Sequence, residues 1–168
     1  IPILNHKERA DLYNRWLGVR FEKILPALMR REKIDMWVVI CREHAEDPVY
    51  WSLVPYPSMF AWRLTMFVYS LGKNGLECLS LNRYGGGDLH KEFAAIYKPA
   101  WEPEALDPWQ RLAQVIRARN PKKIAVNESK SFAFADGLTA ENKTRLVQAL
   151  GPELAARLVS SERLAVGW

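Results

Sequence analysis

One short apolar run constrains the fold of this chain more than any other feature of the sequence. Residues 36–41 are all apolar and rich in β-branched side chains, and a polar stretch follows directly at 42–47. A run of this length and composition predicts a strand buried on both faces of a sheet. Asp47 and Pro48 then match an N-cap followed by proline at the first helical position, which predicts a helix over 49–54.

Before this strand, the stretch 6–33 predicts a long amphipathic helix, because apolar side chains recur in it every three or four residues. Asn5 and Glu8 have the spacing of a capping box at its start. Pro26 has no N–H to donate to the carbonyl of Glu22, so we expect a kink or a break there.

After the strand, the sequence predicts a β-hairpin. Two apolar stretches at 64–72 and 76–82 are joined through an Asn-Gly pair at 74–75, the pair that favours a two-residue type I′ turn. Such a turn would place Leu71 opposite Cys78. Both faces of the hairpin are apolar, so we expect it inside the sheet and covered by helices.

The second half of the chain predicts further helices and short strands around the same sheet. Asp107 and Pro108 begin a helix that Pro121 ends, and Thr139 caps another that Gly151 closes. The remaining expected pieces are an irregular crossing at 98–108, a strand at 124–126, an extended piece at 132–135 and a returning segment at 154–159. The residues alone therefore predict a single α/β domain over 1–168.

Charge and cysteine content narrow the classes of function only a little. The net charge is +5 and the pI about 9.3, but the basic residues are scattered, which argues against a nucleic-acid surface. No apolar run approaches the ~20 residues of a membrane span, so no membrane partner is expected. Cys41 and Cys78 lie in predicted strands and are expected to be buried thiols. The compartment is unknown: a cytoplasmic location is favoured, and an exported one would require that an upstream signal was removed.

Few residues have the spacing of a catalytic or metal site. The histidines are far apart and no paired Cys-x-x-Cys occurs, so no metal site is expected in this chain. Glu43, Glu46 and Asp47 could supply two carboxylates for acid–base chemistry. The glycine-rich stretch at 84–88 could hold an anion with its backbone amides, or be a plain loop.

Several segments together resemble the amino-terminal domain of the creatinase/Xaa-Pro aminopeptidase family, and more narrowly the bacterial Xaa-Pro aminopeptidases and dipeptidases. The resemblance covers nearly the whole chain and depends on the order of its pieces. The matching segments are RREKIDMWVV at 30–39, CREHAEDPVY at 41–50, PSMFAWRLTM at 57–66, RYGGGD at 83–88, FAFADGLTA at 132–140 and SSERLAVGW at 160–168.

The resemblance implies a mixed β-sheet flanked by helices, similar to ribonuclease H in outline. It also implies a carboxyl-terminal pita-bread domain, in which two Asp, one His and two Glu hold a dinuclear metal centre. None of those motifs occurs in this sequence. This chain is then expected to have no catalytic residues and no cofactor of its own. Its implied partners are its own catalytic domain, further copies of itself in a homo-oligomer, and a proline-containing peptide substrate.

The resemblance also identifies residues near a substrate. Creatinase-like members contact substrate through a Phe and an Arg at the start of a strand in this domain. Phe60 is the nearest match to that Phe. Arg63 lies one position later than the pattern places its Arg, and Trp62 stands there instead. Phe60, Trp62 and Arg63 are therefore the substrate-proximal candidates. Pro55 and Pro57 precede them, so we expect an extended approach to the strand.

Three functions remain open from the sequence. The first is a non-catalytic amino-terminal domain of an Xaa-Pro aminopeptidase or dipeptidase, which contributes to oligomerisation and shapes substrate access. The second is a stand-alone basic module that binds a ligand or nucleic acid, motivated by the high pI and seven tryptophans. The third is an independent hydrolase that uses the loop containing Glu43 and Asp47.

Overall fold

The predicted central strand lies in the middle of the sheet. The computed structural model describes residues 3–58, 60–83, 91–102 and 104–168, and within them β1 spans Met36–Arg42. Its first six residues are buried, as expected for a strand covered on both faces. The other strands are β2 Leu64–Gly72, β3 Gly75–Asn82, β4 Lys98–Pro99, β5 Ile124–Val126 and β6 Leu158–Ser160.

These strands form one mixed sheet in the order β4-β3-β2-β1-β5-β6. β2 pairs antiparallel with both β1 and β3, whereas the β3–β4, β1–β5 and β5–β6 pairs are parallel. Among the described strands, β2 is thus the one that runs against the others. The predicted α/β fold with a mixed sheet is confirmed.

Helices cover both faces of the sheet. One face is covered by α1 His6–Val19, α2 Leu25–Glu32, α3 Tyr50–Leu53, α4 Lys91–Ala94 and α7 Glu162–Gly167. The other is covered by α5 Pro108–Arg119 and α6 Ala140–Ala155, the second of which is interrupted at Gly151. None of the described helices is both long enough and apolar enough to cross a membrane.

The two buried layers differ in composition. On the side of α1 and α2, β1 and β2 contribute Trp37, Phe67 and Tyr69, whose rings pack against one another. Phe67 and Tyr69 also pack with rings from the surrounding helical segments; we call this the aromatic layer. On the side of α5 and α6 the buried side chains are mostly Leu, Ile, Val and Met; we call this the aliphatic layer. The alternation along the strands assigns each side chain to its layer.

The hairpin has the expected faces but not the expected turn. Gly72 pairs with Gly75, so Leu71 lies opposite Leu76 and not opposite Cys78. A type I′ turn needs positive φ at both central residues, but here positive φ falls on Gly75 alone (110°). The predicted register was therefore wrong. The side chains still lie on their predicted faces, because the observed pairing differs from the predicted one by two residues, which is one full period of a strand.

The helix before β1 changes its geometry just ahead of Pro26. Asn5 and Glu8 form the predicted capping box. The stretch Arg20–Ile24 is a π-helical turn, in which the N–H of Leu25 donates to the carbonyl of Arg20. In this wider turn the helix continues past Pro26 without the hydrogen bond that proline cannot make. The expected break in regular α-helical geometry thus takes the form of a π-helical turn just before Pro26.

Three local predictions were wrong in detail. The helix after β1 begins at Tyr50, because Asp47 forms a turn with Val49 and does not act as its N-cap. The chain at 55–58 turns, with a cis Tyr56–Pro57 bond and a hydrogen bond from Ser58 N–H to the Pro55 carbonyl, where we expected extended backbone. Ala133–Ala135 is a 3₁₀ turn and not an extended piece. The glycine-rich stretch at 84–88 lies outside the described residues.

Candidate functional site at the carboxyl edge of the sheet

Loops from several strands meet at one edge of the sheet. β1, β5 and β6 are parallel, so their carboxyl ends lie at the same edge, and the antiparallel β2 begins there. The loop after β1 is attached to the residue before β2 by a hydrogen bond of 3.1 Å from Glu43 N–H to the Arg63 carbonyl. Ligands of open α/β sheets bind outside such ends, so this edge is the candidate site.

Asp47 lies in the loop after β1, at this edge of the sheet, and has no exposed surface. Its Oδ1 accepts hydrogen bonds from the Val49 N–H (3.0 Å) and from Asn127 Nδ2 (2.8 Å). Its Oδ2 has no hydrogen-bond partner among the residues that the structure describes. Burial raises the pKa of Asp47 to about 6, although the two hydrogen bonds act in the opposite direction.

Asn127 connects Asp47 to the strands. Its Oδ1 accepts hydrogen bonds from Trp37 Nε1, at 2.7 Å, and from the hydroxyl of Ser161. One carboxamide thus joins the start of β1, the end of β5, the end of β6 and the loop after β1. We call Trp37, Asp47, Asn127 and Ser161 the edge network.

Gly137 allows this network to form. A Cβ at this position would lie 2.2 Å from Asp47 Cγ, which is closer than two carbons can approach. The Asp136–Gly137 pair was identified from the sequence as a turn, but its glycine is required by this close approach. Nothing in the local sequence marks Asn127 and Ser161 as partners of Asp47, and sequence reasoning missed both.

A second carboxylate organises the loop after β5. Glu162 Oε2 accepts hydrogen bonds from the hydroxyls of Ser129 and Ser131. Ser129 Oγ in turn accepts from the N–H of Phe132, at 2.8 Å. The loop is therefore held by α7, which follows β6.

The three carboxylates of the hydrolase hypothesis lie in different environments. Asp47 is buried in the edge network, and Glu46 Oε1 accepts a hydrogen bond of 3.2 Å from the Ala61 N–H. Glu43 is half-buried and lines a cleft at the surface.

The two cysteines are buried thiols. Burial raises the pKa of both the Cys41 and Cys78 thiols to about 12, so neither is a thiolate at neutral pH.

The substrate-proximal candidates form one surface segment, Phe60 to Arg63. Phe60 and Trp62 are partly exposed, with ring centroids 4.7 Å apart, whereas Ala61 between them is fully buried. The Phe60 carbonyl accepts a hydrogen bond of 2.7 Å from the Tyr50 hydroxyl. The structure thus brings all three candidates to the carboxyl edge of the sheet.

Arg63 differs from its predicted conformation. Its φ is 44°, in the left-handed region, where we expected extended backbone. This bend lets its carbonyl accept the hydrogen bond from Glu43. The Arg63 side chain lines a cleft of about 530 Å³, which we call the arginine cleft, together with Arg42, His44, Trp109, Asn142 and Arg145.

The described residues offer no ready metal centre. Within them, no three His, Cys, Asp or Glu side chains lie together as a metal site requires. A dinuclear metal centre therefore does not fit the residues that the structure describes.

Comparisons with known proteins find a likeness in structure but none in sequence. No protein-family model matches the sequence, and no curated protein matches it. Among solved structures, an Xaa-Pro dipeptidase from Bacillus anthracis is similar, with a TM-score of 0.50 and 13% sequence identity over 90% of this chain. The match covers 34% of that dipeptidase, so the chain spans about a third of its length. At this identity the likeness shows the fold alone: this chain has the mixed α/β fold of one part of an Xaa-Pro dipeptidase, and its link to that protein is distant.

Proposed function

We propose that this chain is the non-catalytic amino-terminal domain of an Xaa-Pro aminopeptidase- or dipeptidase-like protein, where it contributes to oligomerisation and shapes substrate access. The observation that carries this proposal is the extent of the structural match. It takes in 90% of this chain but only 34% of the dipeptidase. A domain-sized piece of a longer enzyme would give this asymmetry. Catalysis and the dinuclear metal then belong to a carboxyl-terminal domain that follows Trp168.

The geometry of the segment from Phe60 to Arg63 supports the role in substrate access. The rings of Phe60 and Trp62 are partly exposed at the edge of the sheet, and Arg63 follows them directly in the sequence. Within the described residues the Arg63 side chain forms no ion pair, so it is available for a carboxylate. In an oligomer this edge would border the active site of a neighbouring subunit, where the rings exclude water and Arg63 pairs with a peptide carboxylate.

The first experiment separates the domain from its proposed parent. The 168-residue chain and the product of its uninterrupted reading frame are each assayed with Xaa-Pro dipeptides in the presence of Mn²⁺, Co²⁺ or Zn²⁺. We expect hydrolysis by the longer protein and none by the chain alone. A stop codon directly after Trp168, or metal-dependent hydrolysis by the chain alone, would contradict the proposal.

The second experiment tests the substrate-proximal residues in the longer protein. A charge-assisted hydrogen bond contributes about 1.5–3 kcal/mol, so Arg63→Ala is expected to lower kcat/KM for short peptides roughly ten- to a hundredfold. The matched control is Arg30→Ala, which removes an exposed arginine from α2 away from this edge. Oligomeric state and melting temperature should stay the same in both variants. Equal kinetics for Arg63→Ala and wild type would remove Arg63 from the substrate path.

A further inference from the structure

The arginine cleft contains more positive charge than its surroundings neutralise. Arg145 is paired with Glu141 at 2.8 Å. Arg42 and Arg63 also line the cleft, and neither forms an ion pair within the described residues. Glu43 is the remaining carboxylate of its wall. Two guanidiniums thus lie at one cleft without the partners that arginine usually finds, and guanidinium has a geometry that suits carboxylate and phosphate.

One buried donor in the cleft wall lacks a partner: the indole N–H of Trp109, a residue 6% exposed, has no acceptor within the described residues. Beside it, the carboxamide of Asn142, a residue 7% exposed, forms no hydrogen bond in the same part of the chain. Buried polar groups are nearly always hydrogen-bonded. Unpaired donors in the wall of a cleft are therefore consistent with a ligand that supplies acceptor oxygens.

The backbone around the cleft is unusual as well. His44 (φ 62°) and Arg63 (φ 44°) both have left-handed conformations, and both line the cleft. Non-glycine residues seldom adopt this region, and those that do cluster at ligand sites. The bend at Arg63 lets its carbonyl accept a hydrogen bond from the Glu43 N–H. This bond connects the loop after β1 to the residue before β2 at the cleft.

Two long helices begin beside the same cleft. Trp109 is the second residue of α5 and Asn142 the third residue of α6. Their caps, Asp107 and Thr139, already accept from the first free backbone N–H groups, so the helices contribute mainly the positive ends of their dipoles. Those ends favour an anion.

From these observations we propose that the arginine cleft binds a small organic oxyanion, a phosphate- or carboxylate-bearing molecule, within this chain alone. A volume of about 530 Å³ is in the range of small-molecule sites and far exceeds that of a single ion. The guanidinium of Arg42 and the carboxamide of Asn142 bind the anionic oxygens, and Arg63 adds positive charge to the cleft wall. Trp109 and Leu64 contact the body of the ligand. This site needs neither a peptidase domain nor a second subunit.

The test is calorimetric titration of the 168-residue chain with adenosine monophosphate, inorganic phosphate and citrate. We expect one probe at least to bind with one-to-one stoichiometry. Tightest binding of the nucleotide would identify a phosphate-bearing ligand with an organic body, and tightest binding of citrate would identify a polycarboxylate. Arg42→Gln should weaken the preferred probe tenfold or more, because it removes a charge-assisted hydrogen bond. Asn142→Ala should weaken it severalfold.

The matched control is Arg30→Gln, which removes the same charge from an exposed position on α2. It should change the affinity less than twofold. Arg42 is exposed, so its variant is expected to keep the wild-type melting temperature even if Asn142→Ala does not. Equal losses in Arg42→Gln and Arg30→Gln would show diffuse attraction by the net charge and overturn the proposal. So would the absence of saturable binding by all three probes at about 1 mM. Neither result bears on peptide hydrolysis, which is measured separately.

Discussion

The aromatic and aliphatic layers cover the same sheet but hold it in different ways. In the aromatic layer, the hydroxyls of Tyr69 and Tyr97 lie 2.7 Å apart, and Tyr97 donates to the Leu53 carbonyl at 2.8 Å. Trp37 donates to Asn127 and so joins the edge network. In the aliphatic layer, Trp109 belongs to the buried cluster, and its indole N–H has no acceptor within the described part of the chain.

The two layers differ in how precisely their side chains must be positioned. Aliphatic packing is not directional, and such cores tolerate volume-conserving replacements. A hydrogen bond from a buried ring must meet one particular acceptor, and an orphaned partner is costly. The directional contacts of the aromatic layer lead through Trp37 to the carboxyl edge. The layer that supports the candidate site is thus the one whose geometry is specified most tightly.

The largest effect is expected from Trp37, which has no exposed surface. Trp37→Ala should lower the free energy of unfolding by about 3–5 kcal/mol, because it leaves a cavity and removes a donor from Asn127. Urea denaturation measures this loss. The matched control is Trp16→Ala, at a site 60% exposed, which should change the stability by about 0.5 kcal/mol or less. Similar urea midpoints for the two variants would mean that Trp37 does not support the aromatic layer.

The next effect concerns the charge of Asp47. Its carboxyl loses a proton near pH 3.8 when unfolded but only near pH 6 when folded. The folded state therefore holds an extra proton between these values, and the free energy of unfolding falls as the pH rises from about 4 to about 6. The raised pKa corresponds to about 3 kcal/mol. Asp47→Asn should lack this fall.

Urea denaturation at several pH values between 4 and 7 tests the Asp47 prediction. The informative quantity is the difference between wild type and Asp47→Asn, since other carboxyls titrate equally in both. If the two stability curves run parallel over this range, Asp47 does not have a raised pKa, and its carboxyl is more accessible to water than the structure shows.

A smaller effect is expected from one hydroxyl of the aromatic layer. Tyr97→Phe leaves the ring in place but removes the donor to the Leu53 carbonyl and the partner of Tyr69. An orphaned buried group costs about 1–3 kcal/mol. Tyr56→Phe is the control, since Tyr56 is 54% exposed. A cost for Tyr97→Phe no greater than that of the control would show that directional bonds do not distinguish the two layers.

The smallest effect belongs to the aliphatic layer. Ile40 lies in the middle of β1 and faces α5 and α6. Ile40→Val removes one methylene and should lower the free energy of unfolding by about 0.5–1.5 kcal/mol. Thermal and urea unfolding measure it. A cost well above that of Tyr97→Phe would reverse the comparison, because nondirectional packing would then be the more specific of the two.

Much of the fold could be predicted because its signals are local. The capping box of Asn5 and Glu8 and the start of α5 at Asp107 involve residues three apart or fewer, so they can be read from the order of side chains. The apolar runs of β1, β2 and β3 were identified for the same reason. The turn of the hairpin was predicted in the wrong form, because a glycine at positive φ is compatible with more than one turn type.

The candidate site could be predicted only in part. The loop after β1 and the segment from Phe60 to Arg63 were identified from the sequence, and the structure brings them to one edge. The cleft was not predicted, since Arg42, Asn142 and Arg145 come from stretches about 100 residues apart. No spacing rule relates residues that meet only through the order of strands in a sheet.

The sequence by itself determined the elements: the buried central strand, the two strands beside it, the capped helices and the alternation that assigns side chains to two layers. These follow from chemistry within a few neighbouring residues. Only the tertiary structure decided the order of the strands, the contact of Asp47 with Asn127 and Gly137, and the meeting of the arginines at one cleft. The reason is physical. Long-range contacts depend on which surfaces pack together once the elements exist, and this choice leaves no pattern in the local sequence.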